Sequence, residues 1–251
     1  LGVTTSGHIT MGRETFSGCV THGDASHVLN SINHHADTHN GQLVLFTPAL
    51  GVSLSGLSDT IVMLRPVKTS VGLYTVQTIQ SKATTLPVLS DQDALVGSGE
   101  AGKWLASNLH PGNKINISEH TAPNDDLVQA IGGGPVLIKN GALYKDPNPP
   151  APAEASTRNP LTAIATSKDG THAFFVVFDG RLSGPSRSRG LTRAKMANYL
   201  LAHGAYQAML FDSGGSSEMI ARHAGQRTVS VINHPSDGHE RQIANGLFVY
   251  K

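Results

Sequence analysis

The sequence predicts an α+β, or mixed α/β, fold: a β-rich single domain spanning residues 1–251, with mixed sheets, few helices and a strand–helix–strand unit near the C-terminus. Three observations predict it. Short runs rich in Val, Ile, Leu, Phe and Thr, broken by Gly, Ser, Asn and Pro, recur through the first half of the chain, as successive strands and turns do. Two stretches, around Ala94–Leu109 and after Thr192, switch to a helical period. Two continuous apolar runs, Ala173–Phe178 and Ala208–Phe211, flank the second of these, as buried strands flank a crossover helix.

In chain order, strands are expected near Leu1–Thr4, Gly7–Met11, Phe16–Val20, Gln42–Thr47, Ile61–Pro66, Val71–Ile79 and Thr85–Val88. The helix of Ala94–Leu109 places Ala101, Trp104 and Leu105 on one face and stops at His110-Pro111-Gly112. Lys114–Glu119 returns to strand, and the run Gln129–Gly141 ends in an apolar strand leading into Asn140-Gly141, which signals a hairpin. The proline-rich stretch Lys145–Thr157 reads as an exposed insertion or lid loop. Ala173–Phe178 reads as a fully buried strand delivering Asp179-Gly180-Arg181. Thr192 caps a helix with the apolar face Met196, Tyr199, Leu200 and His203, and Gly204 ends it. The strand Ala208–Phe211 follows, parallel to the first and paired with it, so that Asp179 and Asp212 leave the sheet at one edge, where ligands of open α/β sheets commonly bind. Two last strands, Val229–Ile232 and Ala244–Tyr250, enclose a polar loop.

The totals narrow the function classes. A net charge of +1, with no basic run or aromatic platform, gives no reason to expect nucleic acid. No apolar run reaches the roughly 20 residues of a membrane span. The single cysteine, Cys19, excludes an intramolecular disulfide and reads as an inert buried thiol. The chain starts at Leu1 without Met, which reads as a mature or trimmed form whose export signal has been removed, secreted or associated with the cell envelope.

Four groupings carry the chemistry. Asp179-Gly180-Arg181 and Asp212-Ser213-Gly214-Gly215-Ser216-Ser217 put two carboxylates beside an arginine and a glycine-rich loop, a set suited to acid–base work next to an anion. Each is equally a turn that ends a strand. Asn233-His234-Pro235-Ser236-Asp237-Gly238-His239-Glu240-Arg241 is dense in hydrogen-bonding groups. Gly132-Gly133-Gly134-Pro135 is either a plain bend or a close approach of backbone to a sugar or phosphate. The fourth, His34-His35-Ala36-Asp37-Thr38-His39, has metal-like composition but no matching downstream ligands, and reads as an exposed turn before the strand Gln42–Thr47. No metal and no cofactor are expected.

Taken in order, these stretches resemble the phosphodiester glycosidase family. The resemblance runs from Gly132-Gly133-Gly134-Pro135-Val136-Leu137 through Arg158-Asn159-Pro160-Leu161-Thr162-Ala163, Asp179-Gly180-Arg181, Ser188-Arg189-Gly190-Leu191-Thr192 and Asp212–Ser217. It ends with Asn233–Gly238, Glu240-Arg241 and Ala244-Asn245-Gly246-Leu247. Two departures stand out. Ser213 occupies a position where the family usually has glycine, and an upstream Asn-Gly-Gly-Phe-Phe-like segment is absent. The resemblance implies hydrolysis of a sugar-1-phosphodiester, of N-acetylglucosamine type, at the anomeric carbon. On that reading the catalytic carboxylates are Asp212, then Glu240 and Asp179. Arg158, Arg181, Gly133, Gly134, Gly214, Gly215, Ser216, Ser217, Asn233, Ser236, Asp237 and Arg241 hold sugar and phosphate. The implied partner is a small-molecule or polysaccharide glycosyl phosphodiester. Oligomeric state stays open, with association of the missing N-terminal segment as one arrangement. The alternatives are a non-catalytic carbohydrate- or wall-binding module and a metal-dependent phosphodiesterase.

Overall fold

The computed structural model describes residues 1–145, 156–184, 188–243 and 246–249. Most of the proline-rich stretch, Arg187, and residues 244, 245 and 250 of the expected last strand lie outside the described residues. The chain forms two compact units, one made of Leu1–Arg13 with Asp126–Lys251 and the other of Glu14–Asp125.

The first unit opens with β1 (Gly2–Thr4) and β2 (Ile9–Thr10), an antiparallel pair. The second unit then builds an eight-stranded sheet. Its strands are β3 (Thr15–His22), β4 (Ala25–Leu29), β5 (Ser31–Ile32), β6 (Leu43–Phe46), β7 (Leu54–Pro66), β8 (Leu73–Leu86), β9 (Asp93–Gly97) and β10 (Lys114–Ala122). The order is β4-β3-β10-β8-β7-β9-β6-β5. The β5–β6 pair is parallel and the others antiparallel, so the sheet is mixed. Its apolar strands are buried on both faces. Leu43, Leu45 and Leu95 pack with Leu105 of α1 (Gly99–Asn108) on one side, and Val44, Phe46, Ala94 and Val96 fill the other.

Three expectations change here. The helix expected over Ala94–Leu109 begins only at Gly99, because Ala94–Gly97 belong to β9. Ala-Leu-Val is too short an apolar run for its period to separate strand from helix. The strand expected at Thr85–Val88 is the far end of β8, which pairs with β7 through three irregularities in register. Such bulges strengthen local twist and interrupt the alternation that a sequence reading follows. The histidine-rich stretch is a 3-10 helix, His35–Asn40, rather than a simple turn. Gly41, at φ 74°, closes it, and Thr38 is fully buried.

The chain re-enters the first unit at β11 (Leu127–Ala130), which pairs with β1. β12 (Val136–Lys139) and β13 (Ala142–Leu143) form the expected hairpin. Asn140 and Gly141 both have positive φ, 54° and 74°, as a type I′ turn requires. β14 (Leu161–Thr166), β15 (Ala173–Phe178), α2 (Arg193–Ala202) and β16 (Gln207–Ser213) complete a five-stranded sheet ordered β13-β12-β16-β14-β15. β14 is antiparallel to both β15 and β16. The two strands flanking α2 therefore run parallel, but β14 lies between them and they do not pair. β15 is consequently an edge strand and is not fully buried: Phe175 keeps 40% of its exposure.

Thr192 caps α2, its hydroxyl accepting from the Lys195 N–H at 3.3 Å. Met196 and Leu200 are buried, whereas Tyr199 lies outside the expected apolar face, edge-on to Phe178 and stacked on His203. One face of the sheet packs under α2 through Ala163, Ala165, Ala208 and Leu210. The other carries Ile164 and Met209 against Leu1, Ile9 and Met11. β17 (Ile220–Ala221) pairs with β18 (Ser230–Val231). The partner of the Val229–Ile232 run thus comes from upstream. The described residues Gly246–Val249 of the expected strand Ala244–Tyr250 form none, with Phe248 and Val249 exposed.

Candidate active site

β15 and β16 end on the same side of their sheet, since Leu161 of β14 faces both Phe178 and Ser213. Asp179 and Asp212 therefore emerge at one edge. A bulge precedes Asp212: Thr162 faces Asp212 while Ala163 faces Leu210, leaving Phe211 as the extra residue. Bulges next to functional sites re-aim the side chains that follow them. Asp212 is exposed, and its Oδ1 accepts from the Ser213 N–H at 2.7 Å.

The loop after Asp212 is fixed from three directions. The Gly214 N–H donates to the Pro160 carbonyl at 3.0 Å, so that donor is already engaged within the protein. The Ser217 N–H closes on the Gly214 carbonyl, and the Ser216 hydroxyl donates to the Ser213 carbonyl at 3.2 Å. Gly215 is buried directly beneath the Asp237–Arg241 pair, and a Cβ there would collide with the Asp237 carboxylate and the Arg241 guanidinium. Arg241 holds Asp237 through Nε at 2.9 Å and Nη2 at 2.5 Å, both donating to Oδ2. The glycine-rich loop and the Asn233–Arg241 loop are thus in direct contact.

Asn233 ties a third segment to these two. Its Oδ1 accepts from the Met219 N–H at 2.8 Å, and its Nδ2 donates to the Ser217 carbonyl at 3.0 Å and to Asp179 Oδ1 at 3.1 Å. Asp179 also accepts from the His234 N–H at 2.9 Å, and its Oδ2 meets His234 Nδ1 at 3.0 Å. Partial burial acts to raise the Asp179 carboxyl. The His234 N–H, the Asn233 amide and the His234 ring outweigh it and hold the group below its ordinary value.

The cations have distinct settings. Arg181 adopts φ 55°, an uncommon conformation for a non-glycine residue. Its Nε and Nη2 both donate to Asn159 Oδ1, at 3.1 and 2.6 Å, and its Nη1 lies 3.5 Å from where a Gly214 Cβ would sit. Arg158 is exposed at the start of the segment that carries Asn159 and Pro160. Gly133 and Gly134 pack against β16 itself: the Gly134 N–H donates to the Leu210 carbonyl at 2.7 Å, and a Cβ on Gly133 would stand 3.0 Å from Met209 Cε. The close approach made by these glycines is to neighbouring backbone and side chains. The hydroxyls of Thr162, Ser217 and Ser236 are buried without a protein partner.

Sequence reasoning missed two residues here. His234 was visible only as part of a polar loop, and its pairing with Asp179 needs the fold. Glu218 follows Ser217 and lies within electrostatic range of Glu240; burial first, and then that like charge, push its carboxyl up. The histidine-rich stretch of the other unit lies outside these contacts: His34 pairs with Asp37 at 2.9 Å, and among the described residues no set of three or more His, Cys, Asp or Glu is arranged to hold a metal.

Residues 68–250 match the family model described as phosphodiester glycosidase. The SPbeta prophage-derived uncharacterized protein YomE of Bacillus subtilis (strain 168) is 32% identical over 128 residues, 45% of this chain and 18% of that protein. Two solved structures share the fold. A hypothetical protein from Synechocystis has a TM-score of 0.60 at 22% identity, over 86% of this chain and 40% of its own. A putative exported protein from Burkholderia pseudomallei K96243 has a TM-score of 0.60 at 20% identity, over 94% and 54%. The chain therefore spans less than two thirds of the length of each of these proteins. The family match includes every segment that meets at the sheet edge, from Asn159 to Arg241, and the chain belongs to the phosphodiester glycosidase family.

Proposed function

We propose that the protein hydrolyses a glycosyl phosphodiester between the anomeric carbon and its oxygen, releasing the free sugar. The observation that carries this reading is the contact between three loops: Asn233 bound to both Asp179 and the Ser217–Met219 backbone, and Gly215 seated under Asp237 and Arg241. Together they gather carboxylates, guanidinium groups and orphan hydroxyls at one sheet edge in a chain of this family.

The chemistry follows from the leaving group. A phosphate ester departs without full protonation, so the reaction needs a cation at the departing oxygen and a carboxylate near the sugar. Asp212 is exposed, with Oδ2 clear of the Ser213 bond. Water adds to the anomeric carbon and gives its proton to Asp212. The C–O bond breaks, and its electron pair leaves on the phosphomonoester. Arg181, leaning over Gly214, is placed to meet that charge, and Arg158 is free to reach it from the surface. Asp179 acts through His234: it fixes Nδ1 and leaves Nε2 turned outward. Glu240, beside Glu218, supplies a further carboxylate pair. Ser216, Asp237 and Arg241 are placed to hold the sugar, whereas the hydroxyls of Ser217 and Ser236 are buried and do not meet it directly. An N-acetylglucosamine-like sugar on a small-molecule or polysaccharide phosphodiester is the proposed substrate, met outside the cell or in its envelope.

The test is incubation with UDP-N-acetylglucosamine and with the methyl ester of N-acetylglucosamine 1-phosphate in water labelled with heavy oxygen. Label is expected in the sugar. Label in the phosphate means cleavage at phosphorus, and binding without turnover means a carbohydrate-binding module; either result ends this reading. Asp212→Asn is expected to stay folded and lose activity by roughly a hundredfold or more, in the range of general acid–base contributions.

A further inference from the structure

The Glu14–Asp125 unit carries a cleft remote in sequence from Asp179 and Asp212. His27, Glu100, Lys103, Trp104, Ser107 and Asn108 line it, and its volume is about 380 Å³. It is a shallow depression, widely open to solvent. Trp104 packs against the core of the unit and remains half-buried. His27 tilts against it, ring centroids 5.3 Å apart.

The rest of the lining is polar. The His27 ring engages the Val28 carbonyl through Nδ1 at 2.8 Å, which leaves Nε2 available. The Asn108 Nδ2 donates to the Trp104 carbonyl at 2.9 Å, which leaves Oδ1 as an acceptor. Ser107 is exposed. Glu100 and Lys103 neutralise one another at 2.7 Å, so the wall offers both donors and acceptors without net charge. An aromatic face with a neutral polar rim suits a ligand that is itself flat and weakly apolar on one face and ringed by hydroxyls. An anion would need unpaired cations, and the lining offers none, since Lys103 is paired with Glu100. We propose that the Trp104 cleft binds a neutral saccharide, as a site separate from the proposed hydrolytic one.

Trp104 is the sole tryptophan of the chain, so intrinsic fluorescence reports on this cleft alone. The full chain would be titrated with short oligosaccharides of N-acetylglucosamine, of β-linked glucose and of α-linked glucose, and sedimented with the corresponding insoluble polysaccharides. A saturable fluorescence change with at least one sugar is expected; binding of the insoluble form as well marks a polymer ligand, and binding of the soluble form alone a free sugar. Ser107→Arg fills the cleft from an exposed position. It is expected to weaken binding by roughly tenfold or more, about 1.4 kcal/mol, with the melting temperature and the hydrolysis of small glycosyl phosphodiesters unchanged. No saturable response to any of the sugars, or equal affinity in Ser107→Arg, overturns the proposal. Loss of the hydrolytic reading leaves this binding result unaffected, and the converse also holds.

Discussion

Asn233→Ala removes the side chain that joins three segments of the site. The amide makes three hydrogen bonds, accepting from Met219 N–H and donating to the Ser217 carbonyl and to Asp179. A neutral hydrogen bond contributes about 1 kcal/mol net, and one to a charged group about 1.5–3 kcal/mol. The full sum is therefore about 4 kcal/mol. Asn233 is only half-buried, so water replaces part of what is lost, and the expected cost is about 2–3 kcal/mol. The sole tryptophan lies in the other unit, so its fluorescence is a poor probe here. Amide hydrogen exchange at Met219 reads the bond directly. Its protection should fall, and turnover should fall with it, because Asp179 loses a donor and its carboxyl rises toward the ordinary range. Asn233→Asp keeps the acceptor for Met219 but sets a second carboxylate against Asp179, so its destabilisation should exceed that of the alanine variant at neutral pH and shrink on acidification. A change within about 0.5 kcal/mol for Asn233→Ala, the range of an ordinary surface substitution, refutes the view that this amide holds the site together.

Gly215→Ala places a methyl against the ends of two side chains, Asp237 and Arg241, which can move; stability should fall by only about 1 kcal/mol, at the low end of overpacking costs, while kcat/KM on a glycosyl phosphodiester falls roughly tenfold or more. Asp93 is 9% exposed, and burial raises its carboxyl although Tyr74 donates a hydrogen bond to it. A raised acid stabilises the fold below its unfolded value and loses that contribution as pH rises through the folded value. Asp93→Asn should therefore flatten the decline in stability as pH rises above the ordinary carboxylate range and be the more stable protein at neutral pH, as followed by urea unfolding. Thr192→Ala removes the cap of α2 and should cost about 1 kcal/mol, with Thr192→Ser restoring most of it in the same assay.

Much of this fold could be read from pattern. The Asn140-Gly141 hairpin, the Thr192 cap and the delivery of Asp179 and Asp212 to one sheet edge all follow from local residues whose geometry is strongly constrained. Strand order could not be read in the same way. Ala173–Phe178 is as apolar as a central strand, yet it lies at the edge, because β14 enters between it and β16. Nothing in a continuous apolar run records which neighbour it will have. Ala94–Gly97 shows the same limit at the level of a single element. In the candidate site, Asp212 and the Asn233–Arg241 loop were visible as dense polar runs. The Asp179–His234 contact joins residues 55 apart in sequence and exists only once the sheet forms. Glu218 carried no motif of its own; its raised carboxyl comes from burial and from Glu240.

The division of the first unit between the two ends of the chain has a consequence for folding order. Leu1, Ile9 and Met11 pack against Ile164 and Met209, and β1 pairs with β11. During synthesis the N-terminal strands emerge first and have only each other as partners until residues beyond 126 follow. The Glu14–Asp125 unit holds all eight strands of its own sheet and can close while they wait. Its two ends are joined early, with Glu14 accepting from both the backbone N–H and the side-chain amide of Asn124. That clamp brings residues 13 and 126 together and shortens the loop that the late-forming unit has to close, which lowers the entropic barrier to its slow, non-local pairing.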